Sequence, residues 1–172
     1  MPTIGVALAI PEPWGSQLQE YRASIGDPSA QQIPTHITLV PPTAVEFADL
    51  HLIEAHLDEV AARLSAFPVH LRGTGSFRPV SAVIFVALAE GISACEALAE
   101  AVRRGPLDHE PAFPYHPHVT VAHDLDEEIL DRAFADLADF ECEFVVSRFH
   151  LYCHESADGW RPTRDFVLAE TR

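Results

Sequence analysis

The sequence predicts an α+β fold built from two similar lobes, and three observations carry that reading. Short β-branched runs alternate with helical patterns in the order β-α-β-α-β-β and then α-β-α-β-β, with hairpins among them. Two of the strands bear the same string, His-x-Thr followed by an apolar residue, at His36-Ile37-Thr38-Leu39 and His118-Val119-Thr120-Val121. No low-complexity or Pro/Gly/Ser-rich linker divides the halves, so residues 1–172 are expected to form one domain with two lobes and one motif in each.

Residues 3–10, Thr-Ile-Gly-Val-Ala-Leu-Ala-Ile, read as an opening strand ended by Pro11 and Pro13. A first helix covers roughly 14–25 and breaks at Gly26-Asp27-Pro28. The His36 strand follows, with a stop at Pro41-Pro42. From about 46 to 65, Leu50, Ile53, Leu57, Val60 and Leu64 recur at spacings of three and four, the mark of an amphipathic helix with an acidic outer face. Residues 67–77 and 81–89 form two strands joined by a turn through Pro79. Val83, Phe85 and Ala87 share one face of the second, and Ile84, Val86 and Leu88 the other. A strand apolar on both faces belongs in the middle of a sheet.

Ser93 and Glu96 make a capping box opening a helix to about 104, closed by Gly105-Pro106. After the His118 strand, a helix at about 126–138 presents Ile129, Leu130, Ala133, Phe134 and Leu137 on one side. Two last strands, near 141–153 and 160–169, flank the turn Ser156-Ala157-Asp158-Gly159.

Composition narrows the chemistry. At 48% apolar and 22% charged the chain is of ordinary globular type. No basic N-terminal segment leads into a long apolar stretch and no apolar run spans a bilayer, so a cytoplasmic protein without a membrane partner is expected. Cys95, Cys142 and Cys153 show no CxxC spacing and read as free thiols. Eleven cations against 26 anions give a net charge of −15, and every cation is arginine. Without lysine there is no P-loop lysine, no Schiff base and no lysine to carry a covalent nucleotide. The negative balance disfavours tight binding to long nucleic acid, where phosphate neutralisation supplies much of the affinity. A small nucleotide or a short RNA terminus remains compatible. No exposed apolar stripe stands out, so a monomer is expected.

On a strand, residues two apart share a face. His36 and Thr38 therefore point one way while Ile37 and Leu39 point to a core, and His118 and Thr120 oppose Val119 and Val121 in the same manner. Two imidazoles on facing strands equip a groove for paired acid–base chemistry near neutral pH.

The paired motifs, in the forms HITLVPP and PHVTVAH, resemble those of the 2H phosphoesterase superfamily, which includes bacterial 2′-5′ RNA ligase-like proteins and cyclic nucleotide phosphodiesterases. The resemblance runs over nearly the whole chain. It implies a bilobal, pseudo-twofold arrangement of two antiparallel sheets around a central cleft, with helices on the outside. It further implies His36 and His118 as the acid–base pair, Thr38 and Thr120 as phosphate-binding hydroxyls, and metal-independent hydrolysis of a 2′,3′-cyclic phosphate with no cofactor. Two alternatives stand beside this: a non-catalytic module that binds a nucleotide or RNA end, and a 2′-5′ ligase-like transesterase.

Among other residues, Tyr115 is placed to stack on a base or to pack in the cleft wall. Arg78 and Arg148 are candidate phosphate contacts, while Phe85 and Trp160 read as core. His116, His118 and His123 with Asp124 form the best local metal constellation. His123 falls on the opposite face of the strand, however, so no metal site is expected.

Overall fold

The computed structural model describes residues 1–108, 111, 113–155 and 159–170. Its strands and helices run β1 Thr3–Ala9, α1 Trp14–Ser24, β2 His36–Ala44, α2 Leu50–Arg63, β3 Phe67–Ser76 and β4 Val83–Glu90, then α3 Ile92–Val102, β5 Val119–His123, α4 Glu127–Asp136, β6 Glu141–Val146, β7 Arg148–Glu155 and β8 Gly159–Val167. Single 3-10 turns lie at Pro28–Gln31, Phe47–Asp49 and Gly105–Leu107.

Among the described residues the strands form two antiparallel four-stranded sheets, ordered β2-β1-β7-β8 and β5-β4-β3-β6. Strand alternation explains how each sheet is used. In β1, Ile4, Val6 and Leu8 are buried in the core, whereas Gly5, Ala7 and Ala9 point to the other face. Helices α2 and α3 cover the first sheet, packing on β8 and β2; α1 and α4 cover the second, packing on β5 and on β3, β4 and β5. Three helices turn an apolar stripe inward: Ile53, Leu57 and Val60 from α2, Cys95, Leu98 and Val102 from α3, Leu130 and Ala133 from α4. A side chain such as Leu57 or Phe149, fully buried here, contributes about 1.5–3 kcal/mol through burial. No helix among the described residues is long and apolar enough to cross a membrane.

The expected helices and the central position of β4 are present, and several details differ. The stretch 141–153 is two strands, not one. Phe67 pairs with Val146 in the second sheet, while Ile4 pairs with Cys153 and Ala7 with His150 in the first, so the chain changes sheets at Ser147. The apolar positions shift from Cys142, Phe144 and Val146 to Phe149, Leu151 and Cys153 across Ser147-Arg148, so a slip in the alternation marks the change of partner. The repeat is likewise offset from the expected halves. It is a βαβα unit, β1-α1-β2-α2 and then β4-α3-β5-α4, with α1 crossing to pack on β5 and α3 crossing to pack on β2.

Pro41-Pro42 does not stop β2, which runs on to Ala44 with irregular register against β1. β2 is an edge strand, and its pairing slips across the prolines from Val40 opposite Val6 to Thr43 opposite Ile4, which accommodates the missing N–H donors. The Ser93–Glu96 box does not cap α3. The cap is Gly91, in the left-handed region at φ 101°, and the Cys95 amide donates to its carbonyl at 2.9 Å. A Cβ at Gly91 would sit 2.9 Å from the Pro68 carbonyl oxygen, so the tight exit from β4 requires glycine. Phe134 is 41% exposed, outside the buried stripe of α4. The turn at Ser156-Ala157-Asp158 lies outside the described residues.

Candidate active site

The two motifs lie on outer strands of different sheets, β2 and β5, which pack beside one another. His36 opens β2 opposite Ala9, and Thr38 sits opposite Ala7. His118 immediately precedes β5, and Thr120 lies opposite Phe85. Strand alternation thus turns both histidine–threonine pairs to the cleft, while Ile37, Leu39, Val119 and Val121 are fully buried behind them.

The imidazoles are held by one repeated device. His36 Nδ1 lies 2.8 Å from the Pro34 carbonyl oxygen, and His118 Nδ1 lies 2.7 Å from that of His116. A carbonyl only accepts, so each Nδ1 carries the proton and donates. The exchangeable position of both rings is therefore Nε2. His118 is further braced edge-on by Phe77, at 4.8 Å between centroids and 86° between planes, and by Phe85 at 5.4 Å. Phe85 in turn lies over Gly75, where any side chain would overlap its ring.

Burial, only partly offset by the bond to Pro34, pushes the His36 pKa down to about 4, and the nearby Arg22 guanidinium and His118 push the same way. Burial also lowers His118, against the opposing effect of its bond to His116. Arg22, from α1, is 3% exposed and donates through Nε and a terminal nitrogen to Asp27, at 3.1 and 2.9 Å. Asp27 also accepts from the Ser29 amide, fixing the turn that leads to β2.

The cleft has two chambers that share Thr38 and Val83 at their junction. One, about 320 Å³, is lined by His36, Thr120, His123, Arg22, Tyr152 and Trp160. The other, about 630 Å³, is lined by His118, His116, Phe77, Phe113, Tyr115 and Arg103. One motif histidine therefore stands on each side of a threonine-lined neck. A phosphorus centre in that neck has an acid–base nitrogen available to either apical oxygen.

The outer edge of β2 is bonded by two residues from outside its own sheet. Tyr115 Oη donates to the Thr38 carbonyl at 2.8 Å, and Arg103 Nε donates to the Leu39 carbonyl at 2.9 Å. The Arg103 guanidinium also stacks 5.1 Å from the centre of the Tyr115 ring, and burial raises the Tyr115 pKa. Tyr115 is thus a wall residue that locks the first motif strand.

The other expected residues distribute differently. Arg78 is not in the cleft: it pairs with Glu127 at 2.8 Å and Asp131 at 2.9 Å in a separate surface hollow beside Pro79. Arg148 pairs with Asp165 at 2.9 Å and lines neither chamber. Phe85 is buried as expected, but Trp160 is only partly buried and faces the first chamber. His123 also faces that chamber. An extra residue in β5, between Thr120 opposite Phe85 and Ala122 opposite Ile84, forms a bulge that reverses the alternation. Among the described residues no three His, Cys, Asp or Glu side chains are grouped to hold a metal ion. Arg22 and Arg103 were not foreseen, because nothing in their local sequence separates them from the other arginines.

The chain is similar to known proteins in sequence and in fold. The 2′-5′ RNA ligase superfamily model matches residues 10–158. A phosphoesterase-like protein of Bacillus pumilus is 34% identical over 148 residues, covering 84% of this chain and 85% of its own. One from Bacillus licheniformis is 31% identical over 144 residues, covering 83% and 85%. In fold, the chain is similar to E. coli LigT complexed with 3′-AMP, with a TM-score of 0.72, 20% identity and coverage of 98% and 99%. A Thermus thermophilus protein superimposes at 0.68 with 21% identity over the full length of both chains.

Proposed function

Because the chain belongs to the 2′-5′ RNA ligase superfamily, the 2H phosphoesterases, we propose that it hydrolyses the 2′,3′-cyclic phosphate of a nucleotide or short RNA end, as one catalytic unit with a motif in each lobe. The observation that carries this reading is the mirrored pair of Nδ1 bonds, which commits Nε2 of both His36 and His118 to proton transfer across a shared neck. His36, kept neutral by burial and by Arg22, is the base that takes a proton from water. His118, on the roomier side, is the acid that returns one to the departing ribose oxygen. Thr38 and Thr120 donate to the non-bridging oxygens as charge builds on them. E. coli LigT, a structural neighbour, has been solved with 3′-AMP, NADP+ and ATP, which supports a small nucleotide as the occupant.

Each proton transfer contributes roughly 10²–10⁴-fold, and the two histidines supply both without a metal ion. The test is incubation of EDTA-treated protein with 2′,3′-cyclic nucleotides, reading the position of the product phosphate by NMR. Turnover to a single monophosphate isomer is expected. Binding without turnover points instead to a non-catalytic nucleotide module, and joining of a cyclic phosphate to a 5′ hydroxyl to a ligase-like transesterase.

A further inference from the structure

Arg78 lies outside the cleft, yet the turn that carries it forms part of the cleft wall. Between β3 and β4 the chain passes through Phe77, Val80 and Ser81, which line the larger chamber, before Val83 reaches the neck. Phe77 is the inward side of this turn: its ring centre stands 4.8 Å from that of His118 and 4.5 Å from that of Phe85. Arg78 is the outward side and faces the separate hollow. Its Nη1 donates to Glu127 at 2.8 Å and to Asp131 at 2.9 Å, two residues on one face of α4. Its Nε donates to the Ser76 hydroxyl at 3.0 Å, and that hydroxyl also accepts from the Arg78 amide at 3.1 Å. The guanidinium is thus fixed both to the last residue of β3 and to a helix.

We propose that Arg78 is a positioning residue, its clamp on α4 holding Phe77 against the His118 ring. The need for such a clamp follows from the local geometry. One hydrogen bond, from Nδ1 to the His116 carbonyl, leaves the His118 ring able to swing about it. Phe85 and Phe77 close its flanks, but they are held differently. Phe85 is a paired residue of β4, whereas Phe77 stands one place beyond the last pair of the ladder, Ser76 with Ile84. Its position therefore depends on the turn, and the Arg78 side chain ties that turn to α4. The titratable groups that act on His118 are His116 beside it and His36 across the neck. Arg78 thus reaches His118 through packing and not through its charge. The inference rests on the phosphodiesterase reading for the role of His118 as the acid.

Arg78→Ala should lower kcat for 2′,3′-cyclic AMP roughly tenfold while KM stays within about twofold. Arg78→Lys keeps a cation between the two carboxylates and should recover most of that loss. Arg148→Ala removes an ion pair of similar length in the other sheet and should leave kcat unchanged. Loosening Phe77 admits water to His118 and relieves the burial that lowers its pKa, so in Arg78→Ala its titration should move up towards 6.5. That titration is read by NMR on the His118 ring, assigned by its loss in His118→Gln, and needs no turnover. Phe77→Leu should reproduce both effects, and adding Arg78→Ala to it should change little more. A native kcat in Arg78→Ala overturns the positioning role, as do losses from the two substitutions that multiply. If the native chain turns over no cyclic phosphate, a His118 titration shifted in Arg78→Ala keeps the clamp and removes the hydrolase reading instead, whereas an unshifted one overturns the clamp.

Discussion

His36 and His118 share one tethering bond but sit in different fields. Burial holds His36 down to about 4, with the Arg22 guanidinium adding to it, and burial lowers His118, with the neighbouring His116 ring adding to it. The proposed hydrolysis requires neutral His36 and protonated His118 in the free protein. kcat/KM should therefore rise as pH climbs through about 4 and fall as it climbs through the His118 value, below 6.5. The bell is expected on the acid side of 6.5, and a flat profile across pH 5–9 would rule out the pair. His36→Ala should erase the acid limb and His118→Ala the alkaline limb, each costing roughly 10²–10⁴-fold in rate, with circular dichroism unchanged. The double variant should lose little more than the worse single one, because the two act as a unit. These four motif residues were legible because period-two alternation turns a string into a face. Trp160 was not, since an aromatic beside a glycine turn reads equally as core, and Arg22 became visible only once α1 had crossed to the neck.

At the level of elements, the site depends on two edge strands being held side by side. Edge strands expose unpaired carbonyls, and β2 has two of them satisfied by Tyr115 and Arg103 from outside its own sheet. Tyr115→Phe keeps the ring and deletes one bond. It should cost about 0.5–1.5 kcal/mol in urea unfolding and lower kcat by loosening Thr38, while the Arg103 stack survives. Unchanged stability together with unchanged kcat would show that the bond does not position the strand. The elements themselves followed from periodicity, as in α2 with Ile53, Leu57 and Val60 all buried. Partner choice did not. In residues 141–155 the alternation slips by one at Ser147-Arg148, which within a single strand reads as a bulge, and pairing with β3 before Ser147 and with β1 after it shows instead two strands in different sheets. Pro41-Pro42 reads as a stop unless β2 is already known to be an edge.

For the whole molecule the question is how a protein of net charge −15 draws an anion into its cleft. Four of its surface arginines are committed: Arg78, Arg104, Arg148 and Arg164 each pair with a carboxylate. Arg22 in the first chamber is likewise paired, with Asp27, so attraction is left to the threonine donors and a protonated histidine, and protonating that histidine has a cost that stability should record. Burial lowers the pKa of His36, His118 and His150 in the folded chain, whereas in the unfolded chain they titrate near 6.5. Between 6.5 and about 4 the unfolded state therefore binds more protons, so these groups make stability fall as pH drops through that window and leave it flat above 6.5. Each contributes at most about 1.4 kcal/mol per pH unit. Relief of anionic self-repulsion acts in the opposite direction, but mainly below pH 5, where carboxylates with pKa values of about 4 begin to protonate. Thermal unfolding between pH 6.5 and 5 isolates the histidine effect. Tm should decline across that interval, and the decline should be shallower in the His36→Ala/His118→Ala double variant. Saturating nucleotide monophosphate should restore it in the native chain, because a bound phosphate favours the imidazolium that burial opposes. A Tm that is constant or rises on acidification, or a slope unchanged by the double substitution, would mean that the neck does not hold its histidines neutral.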